Sequence, residues 1–593
     1  MQEKPASPSP PNPSPTTFRP NRMTGSPTAQ LPLGNSNILT TLSQSLAFHG
    51  SAHTFITSLI SDAHQHQHQH QHQPQTRQPQ PQRQPPRRDR PTPILRASLI
   101  GRNVAVVSSY AIAQEILAAG TTDDALDSAR CIRPAPSTTA RSETRSSFAV
   151  EPAYHDLLAT WFPSPNLLLS EGNAHAQCRR VWAERLALRP HAAQFATREH
   201  TAALLAGLGD GETLDLYKFV KKLVWGLVLK TFLGGPAEEE EGGNGGGGDG
   251  EGGVRMSAKE LREVRGLQET MFRGSVSMFP VSISTPFYKS ARSKGFDARA
   301  KLLRTLRGFV EKKRAAGADG YVSVDQEVQH TLLFTSALVV KCTASLLTAV
   351  LMNLFMARPN QIERGITPEG VEDGKPQRQS STLATLLRRS PDPSHRRRLL
   401  ASILSETERL SPPLIGVLRR VTEHIHIDET MVTDDGDGSG GPGSGRLTLI
   451  PAGWDVWLYF VNANRDPSVY RRPHTFDHTR FLGSDVGSRT SDSTEARDEA
   501  RTALSFGFGP KTCLGKSIVR SIVEGVAETF LESETSLEGQ IEDEGLKIWL
   551  GWRDRVEEMH ELDLAGEMGK DLKQLPVQRP RRPVVVKVRK GDV

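Results

Sequence analysis

The chain has 593 residues, 36% of them hydrophobic, 24% charged and 6% aromatic, with 50 Gly and 40 Pro. This apolar share lies below the globular norm, so low-complexity inserts dilute an ordinary core, and the net charge of +6 is too small for a dedicated nucleic-acid binder, whose basicity concentrates in one patch. Four cysteines, at 131, 178, 342 and 513, form no Cys-x-x-Cys pair, which excludes a disulfide scaffold and a zinc ribbon.

In chain order, residues 1–30 are Pro/Ser-rich and read as a disordered tail, with no apolar run for a secretory signal or N-terminal anchor. The remainder, 31–593, reads as one large domain carrying inserts at about 63–91, 234–253, 366–393, 433–446 and 484–500. None of these buries enough apolar surface to offset its ordering entropy. Together they remove about 140 residues and leave a core near 450 by composition. The alternating His64–His72 tract implies no rigid metal geometry. DGDGSG (435–440) lacks the acid that a calcium loop needs at its twelfth position, where Arg446 stands. The Gly run before residue 254 lacks the Lys-Ser/Thr of a phosphate loop.

Between the inserts, apolar residues at three-to-four spacing predict helices over 175–195, 328–357 and 395–410. Strand-like pieces lie at 97–109, 416–422, 447–460 and 583–590. The run 332–357 is long enough to span a bilayer. Lys341 near its centre would cost ~2.5–3.5 kcal/mol there, so a buried core helix is the expectation.

The most informative segment is FGFGPKTCLGKSIVRSIVEG (506–525), where a lone Cys follows a Gly-rich loop and precedes an apolar helix. Unpaired N–H groups at a helix start carry partial positive charge and stabilise a thiolate. Gly509 and Gly515, lacking Cβ, permit close backbone approach to a flat ligand. Such a thiolate suits axial ligation of haem iron. The same Cys equally suits burial as a small hydrophobe, and the spacing alone leaves both open.

FGFGPKTCLG (506–515) matches the Phe-x-x-Gly-x-x-x-Cys-x-Gly signature of the cytochrome P-450 family of haem-thiolate monooxygenases, with Phe506, Gly509, Cys513 and Gly515 at its fixed positions. ETERLSPPLIGVLRR (406–420) resembles the family's Glu-x-x-Arg helix, with Pro-Pro and an Arg downstream. NRDPSVYRRPHTFDHTRF (464–481) resembles the segment ending in Arg-Phe ahead of the haem loop. HAQCRR (175–180) resembles the His/Trp-x-x-x-Arg helix, and SLIGRNVAVVSS (98–109) the first strand pair. The resemblance covers roughly 95–230, 255–365 and 395–590.

The resemblance implies a mainly α fold with small β-sheets (α+β), a single large haem-thiolate cytochrome-type domain. It implies haem b ligated by Cys513, with electrons from NADPH through a separate reductase. Phe506, Gly509 and Gly515 would form the apolar loop around the sulfur. His175, Arg179, Arg419 and Lys511 fall at the propionate-contact positions; Lys511 departs from the commoner Arg or His and supplies charge without a bidentate fork. Glu406, Arg409 and Arg480 would close a buried charged triad that fixes the Cys loop. Substrate walls would come from 131–165, 332–343, Leu414–Leu418 and the loop near 565–576. Arg179, Arg180, Arg185 and Lys516 would offer a basic face to an acidic reductase.

One departure concerns oxygen activation. The resemblance aligns Thr343 with the family's alcohol and Cys342 with its acid, and no carboxylate lies in 328–357. Thr343 either donates to the chemistry or bonds the carbonyl one turn back. Three readings follow: a monooxygenase acting on a hydrophobic small molecule, such as a secondary-metabolite intermediate; a haem-thiolate isomerase, dehydratase or peroxygenase that needs no reductase; or a non-catalytic haem-binding scaffold. The expected location is cytoplasmic or peripheral to the endoplasmic reticulum.

Overall fold

The computed structural model describes residues 94–99, 102–119, 131–134, 147–187, 189–234, 254–277, 281–317, 322–356, 382–428, 447–482, 502–539, 572–573, 577–580 and 583–591, with a few positions between 44 and 59. The tail 1–30, the inserts 63–91, 433–446 and 484–500, and most of the loop 565–576 lie outside these residues.

Eleven longer helices are labelled here: α1 (Tyr110–Ala118), α2 (Gly172–Ala187), α3 (Arg189–Ala206), α4 (Leu216–Leu233), α5 (Ala258–Ser275), α6 (Ala291–Ala315), α7 (Val324–Phe334), α8 (Ala337–Met356), α9 (Leu383–Arg389), α10 (Pro393–Leu410) and α11 (Lys516–Glu532). The strands are β1 (Ile94–Leu99), β2 (Arg102–Val107), β3 (Ile132–Pro134), β4 (Phe148–Ala149), β5 (Thr213–Asp215), β6 (Gly416–Val421), β7 (Ile425–Asp428), β8 (Leu447–Ile450), β9 (Asp455–Tyr459), β10 (Thr535–Gly539), β11 (Leu572–Lys573), β12 (Arg579–Pro580) and β13 (Val585–Lys590). The fold is mainly α with small β-sheets.

Local chemistry starts and stops these helices. Ser257 and Ser323 form capping boxes with Glu260 and Gln326, which satisfy the first orphan N–H groups. Asp215 caps α4 by accepting from Lys218 N, and Gly234 ends it at φ 65°. The largest sheet runs β1-β2-β9-β6-β4. Its β2 and β9 are parallel, Val104 opposite Asp455, while the other pairs are antiparallel. Helices α3–α8, α10 and α11 pack into the main core, and the sheet with α1 forms a second cluster.

Helix α8 sits at the centre, with Val340, Leu346, Leu347, Val350, Leu351 and Leu354 wholly inaccessible. The Val324–Met356 stretch is long and apolar enough to cross a membrane, yet its most apolar window is 67% buried inside the protein. Lys341, whose charge argued against a span, reaches Glu269 of α5 at 2.6 Å.

Three sequence expectations need correction. The predicted helix 328–357 is two helices, because Gln268 inserts an amide at their junction, donating to Leu332 O (3.2 Å) and Thr335 Oγ1 (3.1 Å). A side chain entering the i→i−4 ladder breaks it. The predicted helix 175–195 divides into α2 and α3, with Pro190 in the opening turn of α3; Pro brings no N–H to continue the α2 ladder. The expected insert 366–393 is structured from 382 onward: Thr382 caps α9, which buries Leu383, Ala384 and Leu387, and Asp392 caps α10. A seven-residue amphipathic turn among polar neighbours is too short to show as periodicity.

Candidate haem-binding site

The loop that presents Cys513 is built by two 3-10 turns, Leu504–Phe506 and Gly509–Lys511, ahead of α11. Asn464 ties its start: Asn464 Oδ1 accepts from Leu504 N at 2.8 Å, and Asn464 Nδ2 donates to Ser505 Oγ at 3.1 Å. The Cys513 N–H donates to Phe506 O at 2.8 Å. The sulfur itself presents accessible surface, yet burial pushes its thiol pKa up, opposed by the Gly515 N–H, Arg179 and Lys516. Both hold when a side chain is surrounded by protein on most sides and open on one. The helix begins at Lys516, which makes Gly515 the N-cap and turns its N–H to the sulfur.

The two glycines differ in what requires them. At Gly509 (φ 67°) a Cβ would lie 2.7 Å from Leu117 O, so close approach of α1 excludes a side chain there. At Gly515 a Cβ would meet nothing nearer than Cys513 Sγ at 3.9 Å. Space beside the sulfur is thus open, as a flat group stacked on the loop requires. Phe506 packs partly buried against the main core, with Lys516 Nζ 5.9 Å from its ring centroid.

Four basic side chains converge near this opening. Arg179 donates to Thr512 O at 2.7 Å. Lys511 donates to Ser170 O and lies 3.9 Å from Glu171 Oε2. Arg419 on β6 is 7% exposed and donates to Leu418 O at 2.8 Å. Burial and the neighbouring Lys511 and Arg179 charges lower His175 to about 4, so it is neutral at pH 7. Burial lowers Lys511 to about 8, with Glu171 opposing and Arg419 and Arg179 adding to the depression. Burial is the larger cause of both shifts and the mutual repulsion of these charges adds to it, so negative charge brought here would be favourable. The two propionates of haem supply it, so the residues present fit the group.

Helix α8 is only partly buried at Leu338, Val339, Cys342, Ser345 and Ala349, a three-to-four spacing that makes one face. Burial pushes the Cys342 thiol to about 12, and the Cys513 charge adds to the rise, so the two cysteines sense each other. Thr343 is 2% exposed, and its hydroxyl donates to Val339 O at 3.0 Å. Of the two aligned residues, Cys342 belongs to the open face and Thr343 does not.

The structure brings Glu406, Arg409 and Arg480 together. Arg409 donates to Glu406 through Nε (2.8 Å) and Nη2 (2.7 Å), and Arg480 Nε lies 3.2 Å from both Glu406 oxygens. Arg409 also donates to Asn464 O, Pro473 O and Thr475 O at 2.8, 2.6 and 3.2 Å. The expected basic face does not assemble as drawn. Arg179 turns inward to Thr512, and Arg185 lies 3.8 Å from Glu327, so of the four only Arg180 is exposed. Sequence reasoning missed Glu171, the counter-charge of Lys511, and Asn464, which clamps the Cys loop. Asn464 opens the NRDP segment already matched; Glu171 carried no local signal.

A mainly helical domain with open space beside a cysteine sulfur and basic side chains near it is the arrangement that a haem-thiolate site would need. A family profile described as cytochrome P450 matches residues 442–533. Cytochrome P450 85A3 of Solanum lycopersicum is 29% identical over 136 residues, 23% of this chain and 22% of that protein. Cytochrome P450 monooxygenase notH' of Aspergillus versicolor is 30% identical over 122 residues, 20% of this chain and 21% of that protein. The chain thus spans about a fifth of the length of the curated relatives it matches. The retinoic acid-bound cyanobacterial CYP120A1 structure shares the fold at TM-score 0.52 and 16% identity, over 84% of this chain and 92% of that one. The segment that holds Cys513 thus matches the cytochrome P450 family profile, and the fold of the described residues is that of a solved cytochrome P450.

Proposed function

We propose that the protein is a haem-dependent monooxygenase that hydroxylates, epoxidises or desaturates a hydrophobic small molecule. The observation that carries this reading is Cys513, an accessible residue with open space at Gly515 beside its sulfur and with Arg179 and Lys516 near enough to act on it. Haem b, when bound, supplies an iron centre at which dioxygen is reduced and split. Cys513 would ligate it, with the Gly515 N–H holding the sulfur's negative charge. Arg179, Arg419 and Lys511 would pair with the propionates, and His175 would donate to them. The Glu406–Arg409–Arg480 triad would hold the backbone at 464–475, and Asn464 carries that rigidity to the Cys loop.

On the facing helix, Leu338 and Val339 would exclude water and seat apolar substrate. Thr343's proton is committed to Val339 O, so the groups on the open face able to hold a proton are the Cys342 thiol, kept protonated by burial, and the Ser345 hydroxyl. The absence of a carboxylate from α8 supports a second reading, a haem-thiolate rearrangement or peroxygenase activity without a reductase. For the first reading we infer electrons from NADPH through a separate reductase, and a substrate from secondary metabolism. Exposed Val281, Ile283, Phe287 and Tyr288 on the turn before α6 favour peripheral attachment to a membrane surface.

The test is spectroscopic and then kinetic. Haem-loaded wild type should give a thiolate-type ferrous–carbonyl Soret band, and Cys513→Ala should lose it. NADPH consumption that depends on reductase and matches product supports monooxygenation. Turnover with a hydroperoxide or a rearranging substrate, indifferent to reductase, transfers the assignment to the second reading. A colourless protein after supply of hemin removes both.

A further inference from the structure

Strand β6 pairs along one edge with β9 over its length, but β4 covers only the end of its other edge: Ala149 stands opposite Arg420 and Phe148 opposite Val421. Past Ala149 the chain leaves the sheet and turns into a short helix, Glu151–Tyr154. In an extended strand the N–H and C=O of one residue point to the same edge. At Leu418 that edge is met by two side chains in place of a strand. The Tyr154 hydroxyl accepts from Leu418 N at 2.9 Å, and Arg419 Nη1 donates to Leu418 O at 2.8 Å. Bonded to the two polar atoms of one residue, the phenol and the guanidinium are neighbours at a single point of the edge.

Both keep donors to give. A phenolic hydroxyl that accepts from an N–H still has its own proton to donate, and a guanidinium carries several N–H groups, of which the bond to Leu418 O uses one. Arg419 is 7% exposed, and a buried cation is costly unless an anion faces it. Burial pushes the Tyr154 phenol above its ordinary value, against the Leu418 N–H and Arg419, so it holds its proton at neutral pH. The approach of Tyr154 is also fixed from behind. Glu171 Oε1 accepts from Val150 N at 2.5 Å and from Glu151 N at 2.8 Å, which pins the head of the helix that ends in Tyr154. The other oxygen of Glu171 lies 3.9 Å from Lys511 Nζ, so the same carboxylate ties this helix to the Cys loop.

We propose that Tyr154 and Arg419 form a two-donor carboxylate clamp, and that the carboxylate it takes is a haem propionate. The inference rests on the haem reading, which gives Arg419 to a propionate, and adds to that set a residue with no sequence signal of its own. Arg419 supplies charge and Tyr154 supplies direction. The phenol is neutral, so it adds a hydrogen bond without adding to the positive charge that already depresses Lys511.

The test titrates apoprotein with hemin and with hemin dimethyl ester, whose propionates carry no charge. Binding is read by absorbance and by the rate at which excess apomyoglobin removes the pigment. Tyr154→Phe should weaken hemin binding about tenfold to a hundredfold, as loss of a hydrogen bond to a charged group implies, and should leave ester binding nearly unchanged. Because Phe also deprives Leu418 N of its acceptor, a second variant places p-methoxyphenylalanine at position 154. It keeps an acceptor for that N–H but has no proton to donate, and it should show the same selective loss. Wild-type affinity for hemin in both variants overturns the clamp, as does an equal loss for hemin and ester, which marks a structural role. The ferrous–carbonyl band separates the two claims: a thiolate-type band in a protein whose variants do not discriminate hemin from its ester sinks the clamp alone, whereas absence of that band in wild type sinks the parent reading with it.

Discussion

Replacing Glu406 tests how the site is held. Its side chain is wholly buried and accepts from Arg409, Arg480 and the Asp477 N–H, the last at 2.9 Å. Glu406→Ala leaves two guanidinium groups facing a void, with side-chain exposures of 0% and 7%. Breaking a buried pair in this way costs about 3–5 kcal/mol, against a total stability of about 5–15 kcal/mol for a typical domain. Glu406→Gln keeps the shape, loses the charge, and should fall at the lower end. Because Arg409 also holds Asn464 O, and Asn464 holds Leu504 and Ser505, the damage should reach the Cys loop and lower haem retention. Denaturant unfolding of the apoprotein measures the first effect, and the ferrous–carbonyl amplitude per protein the second. A double-mutant cycle of Glu406→Gln with Arg480→Gln should show coupling above about 1 kcal/mol. A Glu406→Gln protein within about 0.5 kcal/mol of wild type, with full haem, would refute the reasoning.

Lys511 makes a pH prediction. Its folded pKa, about 8 against an ordinary 10.5, means the unfolded chain holds more protons between those values, so apoprotein stability should rise with pH across that window. Lys511→Met should remove the slope and stabilise the apoprotein below pH 8 by roughly 3 kcal/mol, while weakening haem binding. Wild-type haem affinity should itself fall as pH climbs through 8; equal affinity at pH 7 and 10 would contradict it. Gly509→Ala should destabilise the apoprotein by about 1–3 kcal/mol through its left-handed backbone and the contact with Leu117 O. Gly515→Ala should leave apoprotein unfolding nearly unchanged but impair haem loading, and equal behaviour of the two would remove the distinction between them. Phe287→Asp should lower co-flotation with lipid vesicles, and unaltered partition would reject attachment through that turn.

The sequence alone carried the short-range information. The spacing from Phe506 to Gly515 marked the Cys loop, the Glu406–Arg409 step put two charges on one helical face, and the apolar run through 332–357 marked the central helix. Each depends on residues within a few turns of one another, where backbone geometry fixes who meets whom. What needed tertiary structure was every relation across the chain. Gln268 divides α7 from α8 only because α5 packs beside their junction, and α9 is held by burial its short pattern could not advertise. Gly509 answers to Leu117 rather than to the ligand. Arg179 and Arg185 leave the surface for partners on other elements. Cys342 rather than Thr343 keeps accessible surface because packing sets the rotation of α8. Pattern specifies a face; only packing specifies what that face looks at.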